Sequence, residues 1–183
     1  MFAGCKNIID INLKYFNTSN VNNMRYMFSG CENIKELDLS SFNTKNVKNM
    51  EGMFGGYTNA KSIDWLSFNI LNPPEIKIYI NNCKSLEKLN LSSFDTKNVN
   101  NMMCIFYGCT KLKELNLSSF DTKNVNNMMY MFADCFKLKE LNLSSFDTKN
   151  INKVKVIGIF YNCNINNFNL SPFSKFNKKE MIF

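Results

Sequence analysis

Apolar and polar positions in this 183-residue chain follow one long period rather than a single helical or strand pattern. Phe16, Phe42, Phe68, Phe94, Phe120 and Phe146 recur every 26 residues, and Asn20, Asn46, Asn72, Asn98, Asn124 and Asn150 keep the same step. The clearest copy, Lys111 to Phe136, reads KLKELNLSSFDTKNVNNMMYMFADCF. Copies start at Asn7, Asn33, Asn59, Ser85, Lys111 and Lys137, and a degraded strand follows from Asn164. No linker or composition shift separates them, so no internal domain boundary is expected.

Within each unit the pattern changes once. Leu112, Leu115 and Leu117 alternate with Glu114, Asn116 and Ser118 as in a half-buried strand. The Asp121-Thr122-Lys123-Asn124 cluster then turns the chain, because these side chains bond to nearby backbone. Val125, Met128, Met131 and Phe132 follow at spacings of three and four, predicting a short helical or 3-10 stretch. A lone unit of this kind cannot bury its own apolar face, so neighbours must stack. The expected architecture is a right-handed solenoid of about six to seven 26-residue coils over residues 1–173. Its concave face would carry a parallel β-sheet, its convex face short helical, 3-10 or irregular segments, and residues 174–183 a cap or tail.

Two units break the pattern. In the third, Pro73-Pro74 replaces the usual turn, Glu75 to Ile80 alternates like a strand, and Trp65 falls on an inward position. The sixth gains two residues around Lys153–Val156, which should bulge the convex side.

Composition removes many functions. There is no histidine, which excludes Ser-His and Cys-His nucleophiles and His-ligated zinc. No run of 18 apolar residues exists to span a membrane. Cys5, Cys31, Cys83, Cys109, Cys135 and Cys163 form one column, with Tyr57 in the remaining place, and read as small buried side chains rather than a metal or disulfide framework. Cys104 stands outside that column, at the position of Tyr26 and Tyr130, and is expected to face outward as the one reactive thiol. No nucleophile–base pair or carboxylate cluster points to an enzyme, although Asp38 and Asp64 are expected as neighbours across adjacent strands. No cofactor and no metal site is expected.

The phrase LxxLxLSSFDTxNVxxMxxMFxxC resembles the BspA-like leucine-rich repeats of microbial surface proteins, and most closely the mycoplasma-lipoprotein branch. The resemblance covers residues 1–173. It implies a leucine-rich solenoid displayed at the cell surface or secreted, often behind a signal peptide or lipid anchor, and associated with adhesion to host cells, matrix or other microbes.

The outward strand positions supply the candidate site. Glu36, Lys88, Glu114 and Glu140 share one column with Asp10 and Ser62; Asp38, Asp64, Asn90, Asn116 and Asn142 share the next with Asn12. Leu66 interrupts a third column of Lys14, Ser40, Ser92, Ser118 and Ser144. This polar face fits a host or microbial protein or glycan, or is simply a solvated sheet. A basic edge of Lys45, Lys97, Lys123 and Lys149 is the alternative, tempered by Asp95, Asp121 and Asp147 two residues before three of them. With Arg25 the sole arginine among 22 basic residues and a net charge of +7, no nucleic-acid partner is expected. The Asn20-to-Asn150 column reads as a buried ladder bonding loop backbone.

Met1–Cys5 aligns with Met27–Cys31, so the chain is expected to begin in mid-repeat, as a fragment or with a partner coil from another chain. Phe2-Ala3-Gly4-Cys5 superficially resembles a lipoprotein cleavage box, but the repeat accounts for it better. Open ends at both termini of the stack would permit end-to-end self-association. The leading expectation is a non-enzymatic adhesion module; the alternative is a structural spacer with no ligand of its own.

Overall fold

The computed structural model describes residues 1–55, 83–164 and 167–182. Corresponding positions of successive units lie side by side. On the strand face, β1 (Glu36–Asp38) pairs in parallel with β2 (Lys88–Asn90), and β3 (Leu141–Asn142) with β4 (Phe168–Asn169). Inward Leu37 and Leu141 are buried while Glu36, Asp38, Lys88 and Asn90 are exposed, as alternation requires.

The register contains one double step. Glu36 pairs with Lys88, an offset of 52 residues, whereas Leu141 pairs with Phe168 at 27. The turn face makes the same step, for Asn49 bridges to Asn101 while Asn23 bridges to Asn49 and Asn101 to Asn127. Cys83 N–H donates to Phe54 O at 3.0 Å as Cys31 N–H donates to Phe28 O at 3.1 Å. Cys83 therefore follows Cys31 in the cysteine column and Asp38 neighbours Asn90, while the readings made for Tyr57 and Asp64 lie outside the described residues. The readings made for Trp65, Pro73-Pro74 and Glu75–Ile80 lie outside the described residues.

The core is a set of columns. Phe2, Phe28, Phe54, Phe106, Phe132 and Phe160 stack at centroid separations of 5.4–5.9 Å, with interplanar angles of 13° or less. Offset stacking of this kind adds to the burial of the rings themselves. Leu, Val and Met columns surround it, among them Val47, Val99 and Val125 and Met50, Met102 and Met128, all fully buried.

The turn face, expected as short helical, 3-10 or irregular segments, is a run of tight turns. Met102, Cys104, Phe106 and Gly108 each donate their N–H to the next unit, at Asn127, Met129, Met131 and Ala133, while Tyr107 and Cys109 donate three residues back to Cys104 and Phe106. Tight turns thus alternate with cross-unit bonds. The chain manages this by entering the left-handed region in two columns: Tyr26, Gly52, Cys104, Tyr130 and Gly158, then Gly4, Gly30, Gly108, Asp134 and Asn162. The two residues gained in the sixth unit are absorbed as a 3-10 turn over Lys153–Val156, whose first turn is capped by the Asn152 side chain accepting from Lys155 N–H.

The C-terminal segment, expected as a cap or tail, packs on the last unit. After a 3-10 turn at Ser171–Phe173, helix α1 (Lys178–Ile182) presents Glu180 O and Met181 O to Gly158 N–H and Phe160 N–H. Phe173 of the 3-10 turn and Met181 of α1 are both buried.

Candidate interaction face

The exposed strand positions inherit their alignment from the core columns beneath. Glu36 and Lys88 form an ion pair at 2.7 Å, and Asn90 Nδ2 donates to Asp38 Oδ1 at 3.1 Å. The bond from Glu36 raises the Lys88 ammonium pKa. Asp38 is held below the usual carboxylate range, first by the Ser40 backbone N–H and then by its hydroxyl and Asn90. Glu114, Asn116, Glu140 and Asn142 are likewise exposed on the same face; Asp64 and Leu66 lie outside the described residues.

A recurrent side-chain turn sets the third column. Ser40, Ser92, Ser118, Ser144 and Ser171 each donate their backbone N–H to the Asp or Asn two residues earlier, at 2.9–3.1 Å. This fixes Asp38, Asn90, Asn116, Asn142 and Asn169 in one orientation. The fifth unit interrupts the sheet: Leu115 to Leu117 form no strand with either neighbour. A cavity of about 130 Å³ opens there, lined by Asn90, Ser92, Asn116, Ser118 and Ser119. A second, of about 360 Å³, lies between the first and second units beside Asn12, Lys14, Asp38 and Ser40.

The basic edge is partly neutralised. Lys97 meets Asp95 at 3.0 Å and Lys149 meets Asp147 at 3.8 Å. Partial burial opposes ionisation of Asp95, but the Lys97 ammonium and backbone N–H outweigh it and lower its pKa. The four lysines owe their alignment to backbone bonds, each N–H donating to Asn43, Asp95, Asp121 or Asp147.

The Asn column is exposed rather than buried, because its backbone targets lie at the surface. Asn46, Asn98, Asn124 and Asn150 donate to Ser19 O, Lys45 O, Lys97 O and Lys123 O at 2.6–2.8 Å. The buried polar ladder is threonine, which the sequence reading assigned only to turns. Thr18, Thr44 and Thr122 each donate to a carbonyl of the following unit and accept the same residue's N–H. Thr96 and Thr148 donate to Asp121 O and Pro172 O.

Two further features escaped the spacing. Glu51, nearly buried, accepts from Arg25 Nη2 and Tyr26 OH at 2.8 Å and from Asn101 Nδ2 at 3.0 Å. Burial, followed by the bond to Glu51, pushes the Tyr26 hydroxyl up to about 12. The singular arginine was the available signal. Cys104 is buried at 1% exposure, in a second apolar cluster with Met103, Tyr107, Met129, Ala133 and Ile157, correcting the expectation of an outward thiol. Position 104 shares its left-handed backbone with Tyr26 and Tyr130, and the thiol is covered by the side chains of this second cluster.

The column cysteines act as donors as well as packing groups. Cys31, Cys83, Cys135 and Cys163 place Sγ 2.8–3.2 Å from Phe2 O, Phe28 O, Phe106 O and Phe132 O. Burial pushes the Cys31 and Cys163 thiols up to about 11, which keeps them protonated donors.

Among the described residues, no group of three or more Cys, Asp or Glu side chains is placed to hold a metal ion, and no helix is long and apolar enough to cross a membrane. No curated protein and no solved structure matches the chain. A family model described as "Mycoplasma protein of unknown function, DUF285" matches residues 1–88 and 74–182. The two matches overlap over residues 74–88, where the third unit passes into the fourth, and together span nearly the whole sequence, so this chain belongs to the DUF285 family.

Proposed function

We propose that the chain is a BspA-like leucine-rich-repeat solenoid that works at the cell surface as a non-enzymatic adhesion module, binding a protein or glycan through its concave strand face. The observation that carries this reading is the aligned exposed column Asp38, Asn90, Asn116 and Asn142, each held by the same side-chain turn and opening at the fifth unit into the cavity beside Ser92 and Ser118. Amide, carboxylate and hydroxyl groups at fixed spacing suit an extended polar ligand, which is how repeat proteins use their sheets.

Purified chain screened against matrix proteins, glycosaminoglycans and host-cell surfaces, at low and at physiological salt, tests the reading. Saturable binding that survives salt and is lost when Glu114, Asn116, Glu140 and Asn142 are replaced together by alanine supports it. Binding lost instead on reversing Lys97, Lys123 and Lys149, and on adding salt, moves the site to the basic edge. Absence of binding to every surface leaves the chain a spacer and overturns the reading.

A further inference from the structure

The junction between the fourth and fifth units is closed on one side and open on the other. On the turn face the N–H groups of Met102, Cys104, Phe106 and Gly108 reach Asn127 O, Met129 O, Met131 O and Ala133 O at 2.8–3.0 Å. On the strand face no backbone hydrogen bond joins residues 87–92 to residues 113–118. The links there are side-chain ones, Ser119 Oγ to Leu91 O at 3.4 Å and Lys113 to Glu87 at 3.7 Å. The junction of the second and fourth units shows the contrast. Glu87 N–H and Lys88 N–H there reach Lys35 O at 2.7 and 3.2 Å, and Leu39 N–H reaches Asn90 O at 3.3 Å.

The register that joins Leu39 N–H to Asn90 O would join Leu91 N–H to Asn116 O, yet these two make no hydrogen bond among the described residues. Leu91 is 2% exposed, and both residues line the cavity of about 130 Å³. An unpaired buried donor facing an unpaired acceptor favours a group that can serve both. Carboxylate, sulfate and phosphate only accept, and an ammonium only donates, whereas a hydroxyl does both. Asn116 Nδ2 and the hydroxyls of Ser92 and Ser118, at the rim, also make no bond among the described residues. No ionisable side chain lines this cavity, so an ionic group would lose its hydration there without a partner. A peptide strand inserted at the seam would have to part the units by about another 4.8 Å, against the turn-face bonds of the same junction.

We propose that the seam is a subsite for an uncharged polysaccharide, one sugar hydroxyl bridging Leu91 N–H and Asn116 O while its neighbours meet Asn116 Nδ2, Ser92 and Ser118. The inference rests on the reading that the strand face binds a ligand, and narrows that ligand from protein or glycan to neutral glycan. The same arrangement recurs between the first and second units. Asn12, Leu13, Asp38 and Ser40 line the cavity of about 360 Å³ at the equivalent positions, and Leu13 N–H likewise reaches no acceptor among the described residues. The two seams lie two junctions apart, about 10 Å at the usual strand spacing, so a single sugar chain laid across the strands engages both.

The test titrates the folded chain with neutral glucose, galactose, mannose and N-acetylglucosamine oligomers, from monosaccharide to hexasaccharide, by calorimetry and amide hydrogen exchange. At least one series should bind equally at low and at physiological salt, the hexasaccharide at least tenfold more tightly than the disaccharide. At saturation, exchange of the Leu91 and Leu13 amides should slow at least tenfold. The double variant S92A/S118A keeps both backbone N–H groups and should weaken binding at least tenfold with an unchanged melting temperature. If no neutral series binds while a matrix protein binds through Glu114, Asn116, Glu140 and Asn142, the glycan assignment is wrong and the adhesion reading stands. If nothing binds at all, both fall. Sugar binding that leaves Leu91 exchange unchanged, or that S92A/S118A retains in full, also overturns the proposal.

Discussion

The ring of Tyr26 occupies the space a side chain on residue 52 would need: a Cβ built on Gly52 would fall 2.3 Å from Tyr26 Cδ1 and Cε1. Tyr130 stands in the same relation to Gly158, at 2.3 Å from Cε1. The glycines also sit at φ of +57° and +60°, so two separate costs meet at each position.

Gly52→Ala should therefore destabilise the chain by about 3 kcal/mol, combining roughly 1–2 kcal/mol for a left-handed alanine with roughly 1–3 kcal/mol for overpacking. Gly4, at φ +76° with nothing within 4 Å, isolates the backbone cost. Gly4→Ala should lose about 1 kcal/mol. Urea midpoints of the two variants measure the difference, and equal losses would show that the Tyr26 ring moves aside freely.

Thr122 is buried, donates to Asp147 O at 3.1 Å and accepts from Asp147 N–H at 2.7 Å. Thr122→Val keeps the shape but strands both backbone groups, at a cost of about 1–3 kcal/mol each where water cannot reach them. Thr122→Ser retains the hydroxyl and should lose less than half as much. Denaturant unfolding of the pair decides; a valine variant no worse than the serine variant would mean the threonine column contributes packing alone.

Glu32 sits between Lys84 and Lys6, 3.2 Å from the latter. The Lys84 hydrogen bond lowers its pKa against a smaller opposing effect of burial, and Lys6 lowers it further. A carboxylate depressed in the folded state contributes stability that is complete above its unfolded pKa of about 4.3 and disappears as pH falls through the lower folded value. The melting temperature of Glu32→Gln should therefore lie below wild type near neutral pH, and the gap should close under acid. A gap unchanged down to a pH of about 2 would contradict the bridge.

The 26-residue spacing of the aromatic positions was legible because every inward position must meet its own copy in the neighbouring unit. Phe28, Phe54 and Phe132 stack where their spacing places them. Two kinds of feature were hidden. Side-chain cover was one: position 104 read as outward because it shares the column of Tyr26 and Tyr130, whereas Met103, Tyr107, Met129 and Ile157 cluster around Cys104 and bury it. Register was the other, since the period runs on through residues 56–82 while Glu36 pairs with Lys88. On the strand face, the column order of Asp38, Asn90, Asn116 and Asn142 was legible and the cavity at Ser118 was not. The cavity lies where Leu115–Leu117 form no strand with the fourth unit, although the residue pattern there is as regular as in any other unit.

The double step has a consequence for how such a chain can change. The junction joining Phe54 to Phe106 uses the same ring geometry and the same N–H to carbonyl bond as the junction joining Phe106 to Phe132, although it spans twice as many residues of sequence. The leading surface of the second unit therefore accepts the trailing surface of the fourth much as the fourth accepts that of the fifth. Gain or loss of whole units by gene duplication and deletion would preserve the ring stack and the N–H to carbonyl ladder, at the cost of unit-specific contacts such as Arg25–Glu51, and would lengthen or shorten the exposed face in fixed increments. The number of copies is then a variable on which selection can act without rebuilding the core.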